Sequence, residues 1–150
     1  MSLYILILLT ICIFFSVICS IQDIKEKSVN NILLVFANLS VLLCHFIFDL
    51  KNIWIYLLSA FISGSFYFLV RKFSKNKLGF ADVIFGIFQG FFVPFSEFYI
   101  CIFIELFLVL PFFFILGKDK KIPFIPFMSF SLIIVFFLLF ISTNHRANAL

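Results

Sequence analysis

Polar residues in this chain gather into short clusters, and between the clusters lie six apolar runs, at residues 3–21, 29–48, 53–70, 78–95, 98–116 and 122–141. Each run is close to the roughly 20 residues that an α-helix needs to cross a hydrocarbon core. A backbone amide in lipid finds no water, so only a helix or a closed barrel keeps its hydrogen bonds made. The runs are continuously apolar and lack the residue-by-residue alternation of barrel strands. The pattern therefore predicts an all-α, polytopic membrane protein with about six transmembrane helices. Residues 1–141 are expected to form one membrane-embedded domain and residues 142–150 a short, polar, mobile tail. The fourth run is the least regular, because it holds Asp82, Gln89, Gly86 and Gly90.

Composition agrees. Of 150 residues 65% are hydrophobic and only 12% charged, with 27 Phe against one Trp, and the mean hydropathy is +1.27. A soluble domain is about one quarter charged, and one of this size has too little interior to hide so much apolar surface. The N-terminal run lacks the positive flank and small-residue cleavage site of a secretory signal, so it is expected to be a retained span.

The net charge of +4 needs no acidic partner once its distribution is seen. Nine of the eleven basic residues lie in alternate breaks: Lys25 and Lys27 in the first, Arg71, Lys72, Lys75 and Lys77 in the third, Lys118, Lys120 and Lys121 in the fifth. The second break has only Lys51, and the fourth has none. Basic loops stay on the cytoplasmic side of a membrane. The first, third and fifth loops are thus expected there, with both termini external. Lipid headgroups are the natural contacts for these lysines, and nucleic acid is not expected as a partner. Cys12, Cys19, Cys44 and Cys101 lie inside apolar runs with no C-x-x-C pair, which predicts buried small hydrophobes and no metal site. Cys12 and Cys19 are spaced to share one helix face.

Ionisable groups in or beside a membrane are costly and mark function by default. Asp23 follows the first run, and Asp82 lies in the fourth just past the basic third loop. Charge counting puts both at the cytoplasmic face. Two carboxylates meeting in a low-dielectric site repel when both are ionised, so the pair would hold one proton near neutral pH. That is the working state of an aspartic protease. Asp23 could instead pair with Lys27 at i+4. Glu105 would lie ~16 Å from the cytoplasmic end of its helix and Asp82 only ~6 Å. The two should therefore not share a site, and Glu105 is expected to be protonated or bonded to another helix. His45 and Asp49, near the outer face, are spaced for a local helical hydrogen bond.

Three segments together resemble the type IV prepilin peptidase family of intramembrane aspartic proteases. Its first motif, D-x(5)-I-P-N, is matched by Asp23 with Val29, Asn30 and Asn31, where Asn30 stands for the Pro. Its second, G-x-G-D followed by Val-Lys, is matched by Gly79, Phe80, Ala81, Asp82 and Val83, with Ala81 for the second Gly and Ile84 for the Lys. A late I-P-F-x-P-F is intact from Ile122 through Pro123 and Pro126 to Phe127, a stretch that read alone looks like a helix start.

The resemblance implies a membrane-embedded aspartic endopeptidase in the bacterial cytoplasmic membrane, serving type IV pili or type II secretion. It implies Asp23 and Asp82 as catalytic, with Gly79, Ala81, Asn31, Pro123 and Pro126 shaping the site, and no metal or cofactor. The implied substrate is a prepilin or pseudopilin, cut at the cytoplasmic membrane edge. These residues resemble the compact form of the family, which lacks the C-x-x-C region associated with methylation. Two other readings stand beside it: a small transporter or channel lined by Glu105, Gln89 and Asp82, and a non-catalytic membrane partner descended from the peptidase, for which Ile84 is the sign.

Overall fold

The structure, a computed structural model, describes residues 3–74, 78–116 and 122–147. Among these residues it is wholly helical: α1 (Leu3–Glu26), α2 (Asn31–Phe48), α3 (Ile53–Phe73), α4 (Phe80–Phe92), α5 (Phe98–Leu116) and α6 (Ile125–Ala147), with one 3-10 turn at Leu50–Asn52. Each apolar run becomes one helix. Four of these, α1, α2, α3 with its preceding turn, and α6, are long and apolar enough to cross a membrane. The chain is a polytopic membrane protein.

Hydrophobicity alone does not decide which face is buried, because lipid is as apolar as the core. Small and polar residues decide it. On α1 the buried stripe is Leu8, Cys12, Ser16, Cys19 and Asp23, at the helical spacing, while Phe14 and Val17 are exposed. The two cysteines thus share one face as expected. That seam meets α6, where Ser20 Oγ donates to Ser129 Oγ at 3.0 Å. On α3 the buried face is Ser59, Ala60, Ser63, Gly64 and Tyr67. Helices without a hydrophobic drive between them associate through such small residues. Here they admit α4 so closely that a Cβ at Gly90 would lie 2.6 Å from Ala60 Cα.

The fourth element departs from expectation. The run 78–95 yields a helix of only 13 residues, or about 20 Å against a core of about 30 Å. It ends at Val93, whose extended φ −115°, ψ 119° is what a following proline imposes, here Pro94. Most of α4 is buried, against α2, α3 and α6, so protein rather than lipid surrounds it. At the other end of the chain α6 runs on to Ala147. The stretch from Ser142 therefore begins as the last turns of that helix. Of the basic loop residues, Lys75, Lys77, Lys118, Lys120 and Lys121 lie outside the described residues.

Candidate active site

Hydrogen bonds between helices fix which ends lie together. Asn38 Nδ2 of α2 donates to the Ile84 carbonyl of α4 at 3.3 Å, and seven residues further along each helix His45 Nε2 lies 2.9 Å from the Phe91 carbonyl. The α2 and α4 helices therefore run side by side in the same direction. The start of α2 follows directly on the end of α1, so the last turn of α1 and the first turn of α4 occupy one end of the bundle. These turns carry Asp23 and Asp82. The start of α6 joins them, since the Ile125 N–H donates to Asp23 Oδ2 at 3.0 Å.

Asp23 is buried, 6% exposed. Its carboxylate occupies the N-terminus of α6, where the first amides have no partner within the helix and the helix dipole favours negative charge. The I-P-F-I-P-F stretch builds this seat. The Phe124 carbonyl accepts from Phe127 and Met128 N–H at 3.0 and 3.2 Å, opening the helix. Pro126 in the first turn has no N–H to offer, which leaves Ile125 to meet Asp23. Pro123 precedes the helix, and both prolines are half-buried. The helix-start reading of this segment and its place in the family pattern describe one arrangement. The Lys27 N–H donates to the Asp23 carbonyl at 2.9 Å, and the Lys27 φ of 50° turns the chain out of α1.

Asp82 is 8% exposed. Its Oδ2 accepts from the Gly79 N–H at 2.7 Å, so the carboxylate caps its own helix. A Cβ on Gly79 would lie 3.1 Å from that oxygen, tight enough to press on the acid. Ala81 is half-buried against the core beside it. Ile84, where the family pattern has Lys, offers its carbonyl to Asn38. Asn31 is the first residue of α2 and exposed. The side chain that works there is its neighbour: Asn30 accepts from Ile32 N–H at 2.9 Å as the N-cap, and its own N–H donates to Gln22 Oε1 at 3.2 Å. A proline at 30 could do neither, which explains why Asn stands in its place.

The remaining polar groups separate into two further clusters. Glu105 bonds to Tyr67, Gln89 and Ser131, from α3, α4 and α6. Gln89 is two turns beyond Asp82, so Glu105 sits apart from the acid at the helix start. Tyr67 and Ser131 were not singled out from sequence, although each is a polar interruption of an apolar run. The local helical bond expected of His45 and Asp49 runs through the backbone, from the Asp49 N–H to the His45 carbonyl at 2.8 Å, while their side chains turn to other partners. His45 Nδ1 lies 2.7 Å from the Tyr4 hydroxyl, while Asp49 accepts from Tyr56 at 2.7 Å and Asn52 at 2.9 Å. The cause is Tyr56, whose ring stacks on His45 at 3.8 Å while its hydroxyl reaches Asp49.

Among the described residues no group of three His, Cys, Asp or Glu is placed to hold a metal ion. Residues 10–114, more than half of the chain, match the sequence model of the type IV leader peptidase family. The match includes both Asp23 and Asp82 and stops before the proline pair. No curated protein and no solved structure matches the chain.

Proposed function

Because this chain belongs to the type IV leader peptidase family, we propose that it is an aspartic endopeptidase removing the basic leader of prepilins or pseudopilins, with Asp23 and Asp82 as its acid and base. The observation that supports this is the placement of both acids at one end of the bundle, each buried and each held by an N–H at or just before a helix start. Backbone donors orient the carboxylates, and a carboxylate offers more acceptor positions than one such bond occupies. One carboxylate takes a proton from water, and the other, protonated, polarises and then protonates the scissile amide. No covalent intermediate is needed, and the substrate is held in register by the helix starts.

The same reading places the acids at the cytoplasmic edge of a bacterial inner membrane, with Lys25 and Lys27 on that side and Lys51 opposite. There a prepilin presents its basic leader in water and its apolar helix in lipid, so the bond between them lies at the depth of Asp23 and Asp82. The transporter reading is not favoured, because Gln89 and Glu105 are bonded to each other and to buried neighbours. Co-expression with prepilins tests the proposal. A shift to the mature size, dependent on both acids, is expected; unprocessed prepilin across a panel of substrates, with the enzyme inserted in the membrane, would refute it.

A further inference from the structure

Tyr67, Gln89, Glu105 and Ser131 are each 2% exposed or less, and they come from four different helices. The Tyr67 hydroxyl lies 2.5 Å from Glu105 Oε2 and 3.0 Å from Gln89 Oε1. It has a single proton. If that proton goes to an ionised Glu105, the Gln89 oxygen faces a lone pair of the Tyr67 oxygen and gets no proton from it, a costly condition for a buried acceptor. Turning the amide over does not help. Its oxygen would then face Glu105 Oε1 across the 2.8 Å contact now made by Nε2, acceptor against acceptor.

A proton on Glu105 resolves both orientations. In the first, Glu105 donates to the Tyr67 oxygen, Tyr67 donates to Gln89 Oε1, and Gln89 Nε2 donates back to Glu105 Oε1. The second amide hydrogen serves Ser131 Oγ at 3.2 Å, and Ser131 donates to Glu105 Oε1 at 2.7 Å, the carbonyl oxygen of the acid, which accepts from Gln89 and Ser131 alike. Every group is satisfied and the bonds run one way round a closed ring. Glu105's partners are all neutral, so nothing offsets the cost of burying its charge inside a membrane domain.

The ring also touches both halves of the proposed active site. The Tyr67 ring packs 6.4 Å from that of Phe124, the residue just before Ile125, whose N–H holds Asp23. On its other side Tyr67 lies against Gly86, one turn beyond Asp82, where any Cβ would strike the Tyr67 ring. We propose that Glu105 is held as a neutral carboxylic acid closing a one-way ring with Tyr67, Gln89 and Ser131, and that this ring is a positioning device setting the start of α4 against the start of α6. Its catalytic meaning rests on the peptidase reading; its protonation does not.

Wild type, E105Q and E105L in lipid nanodiscs distinguish the two parts. Gln supplies an N–H where the acid supplies its O–H, whereas Leu supplies nothing. The infrared difference between wild type and E105Q should show the carbonyl stretch of a protonated carboxyl, shifted by deuteration. Carboxylate bands in its place would overturn the neutral ring. E105Q should melt near wild type and cleave prepilin within about three-fold of it, while E105L melts lower and loses about ten-fold or more in kcat with KM little changed. E105Q as slow as E105L, with both folded, or E105L at wild-type rate, would overturn the positioning role. If wild type itself leaves prepilin intact, the peptidase reading fails, and the infrared bands and melting temperatures still decide the ring.

Discussion

Asp23 and Ile125 are 102 positions apart, and a hydrogen bond of 3.0 Å from the Ile125 N–H to the Asp23 carboxylate joins them. One acid therefore stands in the last turn of the first helix, seats the last helix, and supplies half of the proposed catalytic pair. Structural and chemical roles meet in one side chain, and different substitutions separate them.

Asp23→Asn keeps an oxygen for the Ile125 N–H but cannot exchange a proton. Asp23→Ala removes both functions. The Asn variant should melt close to wild type, and the Ala variant should lose about 1 kcal/mol, the usual worth of a helix cap. Thermal unfolding in detergent checks this. Equal melting points for the two would show that the cap contributes nothing to stability.

On the proposed mechanism Asp23→Asn and Asp82→Asn each lower cleavage by about 10²-fold or more, the scale of lost general acid–base catalysis. The double variant should be little worse than either single one, because the pair acts as a unit. The rate should rise and fall with pH in a bell, reporting the pair rather than one residue. An Asp82→Asn enzyme that cleaves prepilin at the wild-type rate excludes this mechanism.

Gly79 and Gly90 should fail in different ways. A methyl at Gly90 meets the backbone of α3, 2.6 Å from both Ala60 Cα and the Ser59 carbonyl oxygen. Backbone cannot swing aside, so Gly90→Ala should destabilise the fold by about 1–3 kcal/mol. At Gly79 the φ of −69° suits any residue, and the nearest atom the methyl would meet among the described residues is an Asp82 carboxylate oxygen at 3.1 Å. Gly79→Ala should therefore melt near wild type while cleaving more slowly. Melting curves and prepilin assays on the two variants test the contrast, which the reverse pattern would contradict.

Orientation is checked by single-cysteine labelling after the four buried native cysteines are replaced. A cysteine at Ser28, in the exposed turn after α1, should react from the cytoplasm, and one at Lys51, in the turn before α3, from outside. Reaction of both from the same side would break the alternation of the helices.

The number and order of helices were legible because polar clusters punctuate the apolar runs so regularly. The extent of α4 was less so. Val93 and Pro94 end it, yet hydropathy averages over such a break and reads on to residue 95. Asp23 and Asp82 stood out as acids in apolar surroundings, and the structure brings them to one end of the bundle. The bonds that seat them were hidden, since the Ile125 and Gly79 donors are backbone N–H groups, which every residue but proline shares. The Glu105 ring was half visible. An acid in mid-run announces a partner, but Tyr67, Gln89 and Ser131 come from runs that are neighbours only in space.

The brevity of α4 has a consequence for the chain that follows it. A helix of 13 residues falls about 10 Å short of the hydrocarbon thickness, and α3 and α6 beside it do not. The missing length is made up by non-helical backbone, whose amides and carbonyls find partners in the protein. Had α4 continued, the Phe95 N–H would have met the Phe91 carbonyl. Instead it donates to Ser59 Oγ of α3 at 3.0 Å, and the Phe91 carbonyl lies 2.9 Å from His45 Nε2 of α2. Two neighbouring helices thus take over the bonds that the helix gives up.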